Sequence, residues 1–564
     1  MEIHFLGGAT TVTGSQFLLV TERARVLVDC GMFQGSPNEA VRNRIPFGFD
    51  PTTLDAILLT HAHLDHCGLI PHVVDEGFSG PIIGTHGTCE LAELVLLDSG
   101  HLQEEFAKRE ARWEKKHPDK AGADDAKERA AYDAALQLSE DPGAGATAGV
   151  APDAATIASE AASEEAALAV DSQVAPPRPA APARTTWAPG PDVSDDPEAE
   201  LRAQPPELEI DLDEPLYTEE QARLALGQFK AIDYDEELEV APGIHAVFLD
   251  AGHILGSAII RVRATDREGG PERTIVFSGD LGRPGTPIIR DPTLLTDADY
   301  VLVESTYGGR EHEPHEEAIR VLADTVRMVA ESDGVLLVPS FAIGRTQEVV
   351  WELDRLIDQG LIPLLPLYLD SPMASKASDI YRRHAEYFDE ETAALLRKGG
   401  TPLDYPDQHV TRRLPESQAI EKAPRPYMIV ASNGMLTGGR VVGHLRNLIG
   451  DPDATILFVG YQGEGTLGAH LQAGATEVKI DGQLREVRCQ IRSISGFSAH
   501  ADESELLDWL SNFARGKQPG DPGFPRRIFL VHGDPEAQIA IEPKVRALGF
   551  EPKIPHWRER VILD

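Results

Sequence analysis

The sequence predicts an α/β protein in which short strands near both ends of the chain flank a middle segment of alternating helices and strands. Three observations carry this. Short apolar runs end again and again in turns bearing Gly, Asp or His, as where Ala56–Leu59 meets Thr60-His61 and Thr274–Phe277 meets Ser278-Gly279-Asp280. From about Gly309 to Leu448 the pattern becomes strand, helix, strand, which implies a parallel sheet. Short strands then return, at Ile456–Gly460, Glu477–Ile480, Gln490–Ile494 and Arg527–Val531.

Taken in order, Ile3–Leu6, Gln16–Val20 and Arg25–Asp29 read as a meander. Asp29 at a strand end suits either an ordinary turn or an outer-shell acceptor that orients a metal-bound histidine. Ala56–Thr60 reads as a buried strand and leads into His61-Ala62-His63-Leu64-Asp65-His66. Three imidazoles and a carboxylate in six residues are costly in a core unless something binds them, and metal ligation is the usual solution. A strand ending at Thr60 puts His61 and His63 on one side of the turn, while Asp65 and His66 open a helix toward a second metal position.

Gly68–Glu76 and Thr88–Ser99 read as helices around a strand at Pro81–Gly84. Lys108–Lys127 is charged and helix-prone with few apolar anchors. From Asp141 to about Pro206 the chain is rich in Ala, Pro, Glu and Asp, and this composition cannot offset the entropy of ordering. A disordered or loosely helical insertion is therefore expected, spanning about 108–206.

A helix at Tyr217–Phe229 restores order, followed by strands at Ile244–Leu249, Ala258–Val262 and Thr274–Phe277. His253 and Asp280 fall at strand–loop junctions, where a sandwich presents ligands. Tyr300–Glu304 is a further strand ending in a carboxylate. In the middle segment, Ser340-Phe341-Ala342-Ile343-Gly344-Arg345 and Ser432-Asn433-Gly434-Met435-Leu436-Thr437-Gly438-Gly439-Arg440 place small residues and an arginine where a helix follows a strand. Such turns suit either an anion or plain solvated arginines. Ser498-Ala499-His500-Ala501-Asp502 and Val531-His532-Gly533-Asp534 supply two more histidines at element ends.

Composition limits the partners. The formal charge is −40, and residues 141–240 alone hold 23 acidic against 5 basic side chains. Such a chain repels nucleic acid overall, so a polyanionic substrate needs a local basic groove. No apolar run approaches the ~20 residues of a membrane span. The start shows no basic-then-apolar leader. Four scattered cysteines (Cys30, Cys67, Cys89, Cys489) argue against a disulfide framework and fit a reducing cytoplasm.

His-x-His-x-Asp-His at 61–66, with His253 and Asp280 downstream, resembles the signature of the metallo-β-lactamase superfamily. The long segment between Asp280 and His500, Glu304 in Glu-Ser-Thr-Tyr-Gly, His500 in Phe-Ser-Ala-His-Ala-Asp and His532 in Val-His-Gly-Asp resemble its β-CASP nuclease branch, and closest its bacterial ribonucleases. The resemblance implies an αββα sandwich with an inserted β-CASP α/β domain. Its divisions are 1–305, 306–448 for the β-CASP domain, and 449–564 for the sandwich remainder. It implies two zinc ions, one on His61, His63 and His253, the other on Asp65, His66 and His532, with Asp280 bridging. His500 oriented by Glu304 is the implied proton donor, and a metal-bridged hydroxide the implied nucleophile on RNA. A histidine at 532, rather than valine, is the mark of RNA-cleaving members. Asp534 departs from the family's usual Glu, and Gly516–Pro525 looks like an added loop. Ser340, Arg345, Ser432, Gly434 and Arg440 are expected to hold flanking phosphates. A thioester or lactam hydrolase and a non-catalytic RNA-processing scaffold are the rival readings, and a homodimer is left open.

Overall fold

The computed structural model describes residues 1–35, 37–140, 214–460, 462–463 and 465–564, so the acidic stretch expected to be disordered from Asp141 to Pro206 lies outside the described residues. The first sheet is built from β1 (Glu2–Gly7), β2 (Gln16–Val20), β3 (Arg25–Val28), β4 (Ala56–Leu58), β5 (Ile82–Thr85) and β6 (Phe229–Ile232). The second uses β7 (Glu237–Ala241), β8 (Ile244–Asp250), β9 (Ala258–Thr265), β10 (Glu272–Phe277) and β11 (Tyr300–Glu304). The third uses β12 (Val335–Pro339), β13 (Leu367–Asp370), β14 (Gln408–Val410), β15 (Tyr427–Ala431) and β16 (Ala454–Phe458). After a hairpin, β17 (Glu477–Ile480) and β18 (Gln483–Glu486), comes β19 (Gln490–Ser493). The chain ends with β20 (Arg527–Val531), β21 (Pro552–Lys553) and β22 (Glu559–Ile562).

The sheet orders are β22-β1-β2-β3-β4-β5-β6, β21-β20-β11-β10-β9-β8-β7 and β14-β13-β15-β12-β16-β19. The first two face each other across a dry core of Phe5, Phe17, Phe248, Phe277 and Phe529, with the Phe5 and Phe529 rings 5.0 Å apart. Helices cover both outer faces. His86–Glu114 packs its Leu91, Val95 and Leu96 against the first sheet, and Glu503–Ala514 packs Leu506, Leu510 and Phe513 against the second. This is the αββα sandwich.

The third sheet is wholly parallel, and its central strands VLLVP, YMIVA and ATILF are buried along their full length. Helices on both faces force such continuous apolar runs, in place of the alternation a half-exposed strand shows. The sequence pattern closed this unit at 448. In the structure β16 pairs with β12, and β19 adds beyond it, so the sheet runs to Ser493 and the chain rejoins the sandwich from Ala501 and the helix Glu503–Ala514 onward. Ala454–Phe458 is apolar on both faces because it is an inner strand of the third sheet.

Three further differences have local causes. The helix expected at Thr88–Ser99 continues to Glu114, with the buried residues ending at Gly100. A second helix, Pro118–Glu140, docks on Val41 and Ile45 through Tyr132 and Ala135, so the first part of the expected insertion is folded. Phe229 opens β6 and does not close the preceding helix, which is Glu219–Leu226.

At the carboxyl edge of the third sheet, buried Asp370 ends β13 and accepts from Arg440 Nη1 (2.7 Å), His444 Nε2 (2.6 Å), Thr411 and Ser417. Burial pushes this carboxyl up, but those donors together hold it well below the usual carboxylate range. The stability it contributes is therefore present above an unfolded pKa of about 3.9 and lost as pH falls toward the depressed folded value. Asp370→Ala strands the Arg440 charge and should cost about 3 kcal/mol at neutral pH, read by urea unfolding, with the deficit shrinking under acid.

Candidate metal centre

Strands β3 and β4 in one sheet, and β8, β10, β11 and β20 in the other, all end at one edge of the sandwich. Asp29 follows β3, His61 follows β4, His253 follows β8, Asp280 follows β10, Glu304 ends β11 and His532 follows β20. The helix Leu64–Cys67 carries Asp65 and His66 on its single turn. All seven candidate ligands therefore converge, although 471 residues of chain separate His61 from His532.

Two ligand sets meet at one carboxylate. In the first, His61 Nε2 lies 3.1 Å from His63 Nδ1, which lies 3.2 Å from His253 Nε2; Asp280 Oδ2 is 3.5 Å from His61 and 3.6 Å from His253. In the second, His66 Nε2 is 3.3 Å from His532 Nε2 and 3.3 Å from Asp280 Oδ1, with Asp65 Oδ2 3.5 Å from His532. Ligands about 2.0–2.1 Å from a tetrahedral zinc stand about 3.3–3.4 Å apart, and these separations cluster around that edge length. Asp280 Oδ1 is buried with no hydrogen-bond partner, a costly state for a carboxylate unless a cation faces it. The residues fit a two-cation site.

Outer contacts orient four of the five rings. His66 Nδ1–H donates to Asp29 Oδ2 at 2.7 Å, His253 Nδ1–H to the Ala499 carbonyl at 3.2 Å, and His61 Nδ1–H to Thr60 Oγ1 at 3.1 Å. His532 Nδ1–H faces Thr306 Oγ1 at 3.2 Å. Each leaves a bare Nε2 aimed inward, the arrangement a metal needs. Asp29 is held in turn by the amide and hydroxyl of Thr60, both at 2.8 Å. Asp29 and His532 adopt left-handed backbone, φ 60° and 45°, which is unfavourable for side chains of this kind and is retained at the site.

The electrostatics differ between the two sets: burial lowers His66, but the charges of Asp280 and Asp29 outweigh it and hold this ring well above the usual imidazole range, so a cation binding there displaces a proton. Burial keeps His61 and His253 well below the usual imidazole range, hence neutral and ready to ligate. Burial opposes charge on Asp280, yet His532, His66 and His61 hold it ionised. His500 Nδ1 lies 3.1 Å from Glu304 Oε1 and 3.9 Å from Asp280 Oδ2. Glu304 is fully buried and fixed by the amides of Leu281 (2.8 Å) and Thr306 (3.2 Å). The pair thus stands beside the ligand sets, with Glu304 buried and His500 partly exposed.

The expected phosphate-binding residues lie together on the carboxyl edge of the third sheet, where Ser340 follows β12 and Ser432 follows β15. This edge abuts the metal loop, since a Cβ on Gly344 would stand 2.9 Å from Ile254. Gly434 packs on Phe341. The arginines, however, are committed: Arg345 pairs with buried Glu348, and Arg440 with Asp370. Sequence reasoning missed Thr60, Thr306 and the Ala499 carbonyl. The hydroxyls flank His61 and Glu304 in the motifs, which is the signal that would have found them.

Three family models match the chain: the metallo-beta-lactamase superfamily over residues 9–161, the Beta-Casp domain over 346–471, and the Zn-dependent metallo-hydrolase RNA specificity domain over 485–555. Ribonuclease TTHA0252 of Thermus thermophilus is 32% identical over 561 residues, covering 100% of both chains. This chain belongs to the β-CASP ribonuclease branch of the metallo-β-lactamase superfamily. Other relatives are the transcription termination factors FttA of Methanosarcina mazei (28% identical, 97% of this chain and 69% of that one) and of Pyrococcus horikoshii (26%, 99% and 70%). The β-CASP match overlaps the third sheet from the helix Arg345–Asp358 to the helix Leu467–Gln472, past the 448 boundary. No helix among the described residues is long and apolar enough to cross a membrane.

Asp29→Asn keeps the shape but weakens the hold on His66, and should lower affinity for the second cation about 10–100-fold, measured by competition with a chromogenic chelator.

Proposed function

We propose that the chain is a ribonuclease holding two zinc ions, which hydrolyses RNA phosphodiester bonds and uses His500 as proton donor. The observation that carries this is Asp280, one oxygen toward each ligand set, with the His500–Glu304 pair on its flank. Bound zinc supplies charge that neutralises phosphoryl oxygens and makes ionised water available near pH 7. The rest is the work of the chain. The six other ligands and Asp280 would hold the cations, and the carbonyl and carboxylate acceptors behind the rings keep the imidazoles from turning.

Glu304 accepts from His500 Nδ1, which leaves Nε2 free to deliver a proton to the departing sugar oxygen. Burial lowers the basicity of His500, but the charges of Glu304, Asp280 and Asp65 outweigh it and raise its pKa to about 9. The Glu304 carboxylate, which is not one of the proposed metal ligands, favours the protonated imidazole that a general acid needs. Ser340, Ser432 and the Gly434 backbone, on the edge beside the metal loop, are proposed to steady flanking phosphates; Arg345 and Arg440 contribute less, because Glu348 and Asp370 neutralise them. Phosphate contacts position a strand without reading bases, so sequence preference is weak. The four free cysteines of this chain fit a cytoplasmic setting.

Uniformly labelled and 5′-labelled RNA incubated with the zinc-loaded protein tests the proposal. RNA should shorten, chelation should stop it, and a chromogenic lactam and a thioester should survive. Lactam or thioester hydrolysis with intact RNA would assign the centre to small molecules instead.

A further inference from the structure

His500 sits on the turn Ala499–Ala501, whose backbone is fastened by three contacts from distant segments. The Ala499 carbonyl accepts from His253, the Ala501 amide donates to the Leu281 carbonyl at 2.8 Å, and the His500 carbonyl accepts from His312 Nε2–H at 3.1 Å. The first two partners belong to the metal loops. His312 has no role in metal binding, and it reaches the turn from the segment after Glu304. Its own amide donates to Asp502 Oδ2 at 3.1 Å, and its ring packs on Tyr307 with centroids 4.3 Å apart. Its Nδ1 is buried without a hydrogen-bond partner. A ring whose one satisfied polar atom is spent on the His500 backbone has a single task. Burial, and next the charge of Arg283, lower the His312 pKa to about 4, so the ring stays neutral and the donor stays in place across the working range.

We infer that His312 is a positioning residue for the proton donor: it fixes the backbone of His500 so that the imidazole keeps its place between Glu304 and the substrate. The assignment rests on His500 being the general acid. A shift of the order of 1 Å in such a group can cost about 10²-fold, so one hydrogen bond at this point has leverage.

The experiment uses the zinc-loaded full chain with two substrates, an RNA oligonucleotide and a p-nitrophenyl phosphodiester whose leaving oxygen needs no proton. His312→Phe keeps the ring and removes the donor. It should lose about tenfold on RNA, less than twofold on the nitrophenyl ester, and no zinc. The double variant His312→Phe/His500→Ala should be no slower than His500→Ala alone. His312→Gln, which restores an N–H, should recover most of the RNA rate, and it carries the test if the Phe variant does not fold. Equal losses on both substrates, or losses that add to those of His500→Ala, would overturn the inference and leave a structural role only. If His500→Ala itself slows both substrates equally, the general-acid reading falls first and this inference with it.

Discussion

Asp280→Ala is expected to empty both cation positions and to lower RNA cleavage about 10⁴-fold or more, some 5 kcal/mol of barrier. The size follows from geometry. Asp280 is the one side chain whose two oxygens face different ligand sets, and it supplies the negative charge between them. Without it the first site keeps three neutral imidazoles. The second keeps Asp65, His66 and His532, and the two cations would face each other unscreened. Zinc content by elemental analysis and cleavage of labelled RNA check the two halves of the statement together. A variant that kept both zincs and lost only rate would reduce Asp280 to an electrostatic bystander.

His500→Ala should behave in the opposite way with respect to metal. Both cations stay, and RNA cleavage falls about 10²–10⁴-fold, the usual worth of a general acid. The deficit should be smallest for substrates with good leaving groups. His500 Nδ1 also lies within a cluster with Asp280 and Glu304 that could hold a cation. Loss of zinc from this variant would therefore exchange the roles of His500 and His532. The contrast between these two variants separates binding from chemistry better than either alone.

How much of this was legible before folding depends on how local the information is. His61, His63, Asp65 and His66 sit within six residues, so the motif announces itself. His253, Asp280 and His532 are visible because each follows a strand whose apolar run is clear. Thr306 and the Ala499 carbonyl were not visible as partners of His532 and His253, because 226 and 246 residues separate the atoms that meet. Arg345 and Arg440 read as free phosphate clamps in the sequence, since nothing local says that Glu348 and Asp370 will neutralise them. Strand β7, Glu237–Ala241, went unread because it lies at a sheet edge with its charged residues exposed, where the alternation of a strand is weak. The helix Pro118–Glu140 has only Tyr132 and Ala135 as buried apolar anchors among its described side chains, too few for periodicity to show. The boundary at 448 was misplaced for a related reason: Ala454–Phe458 is apolar apart from Thr455, and its pairing partner β12 lies more than a hundred residues upstream.

The central claim is that seven side chains from His61 to His532 gather two zinc ions around Asp280. Crystals of the zinc-loaded protein, measured on either side of the zinc absorption edge, test it directly. Two anomalous peaks are predicted, one among His61, His63 and His253 and one among Asp65, His66 and His532, each touching a different oxygen of Asp280. A single peak, or peaks away from these residues in protein that cleaves RNA, would contradict it.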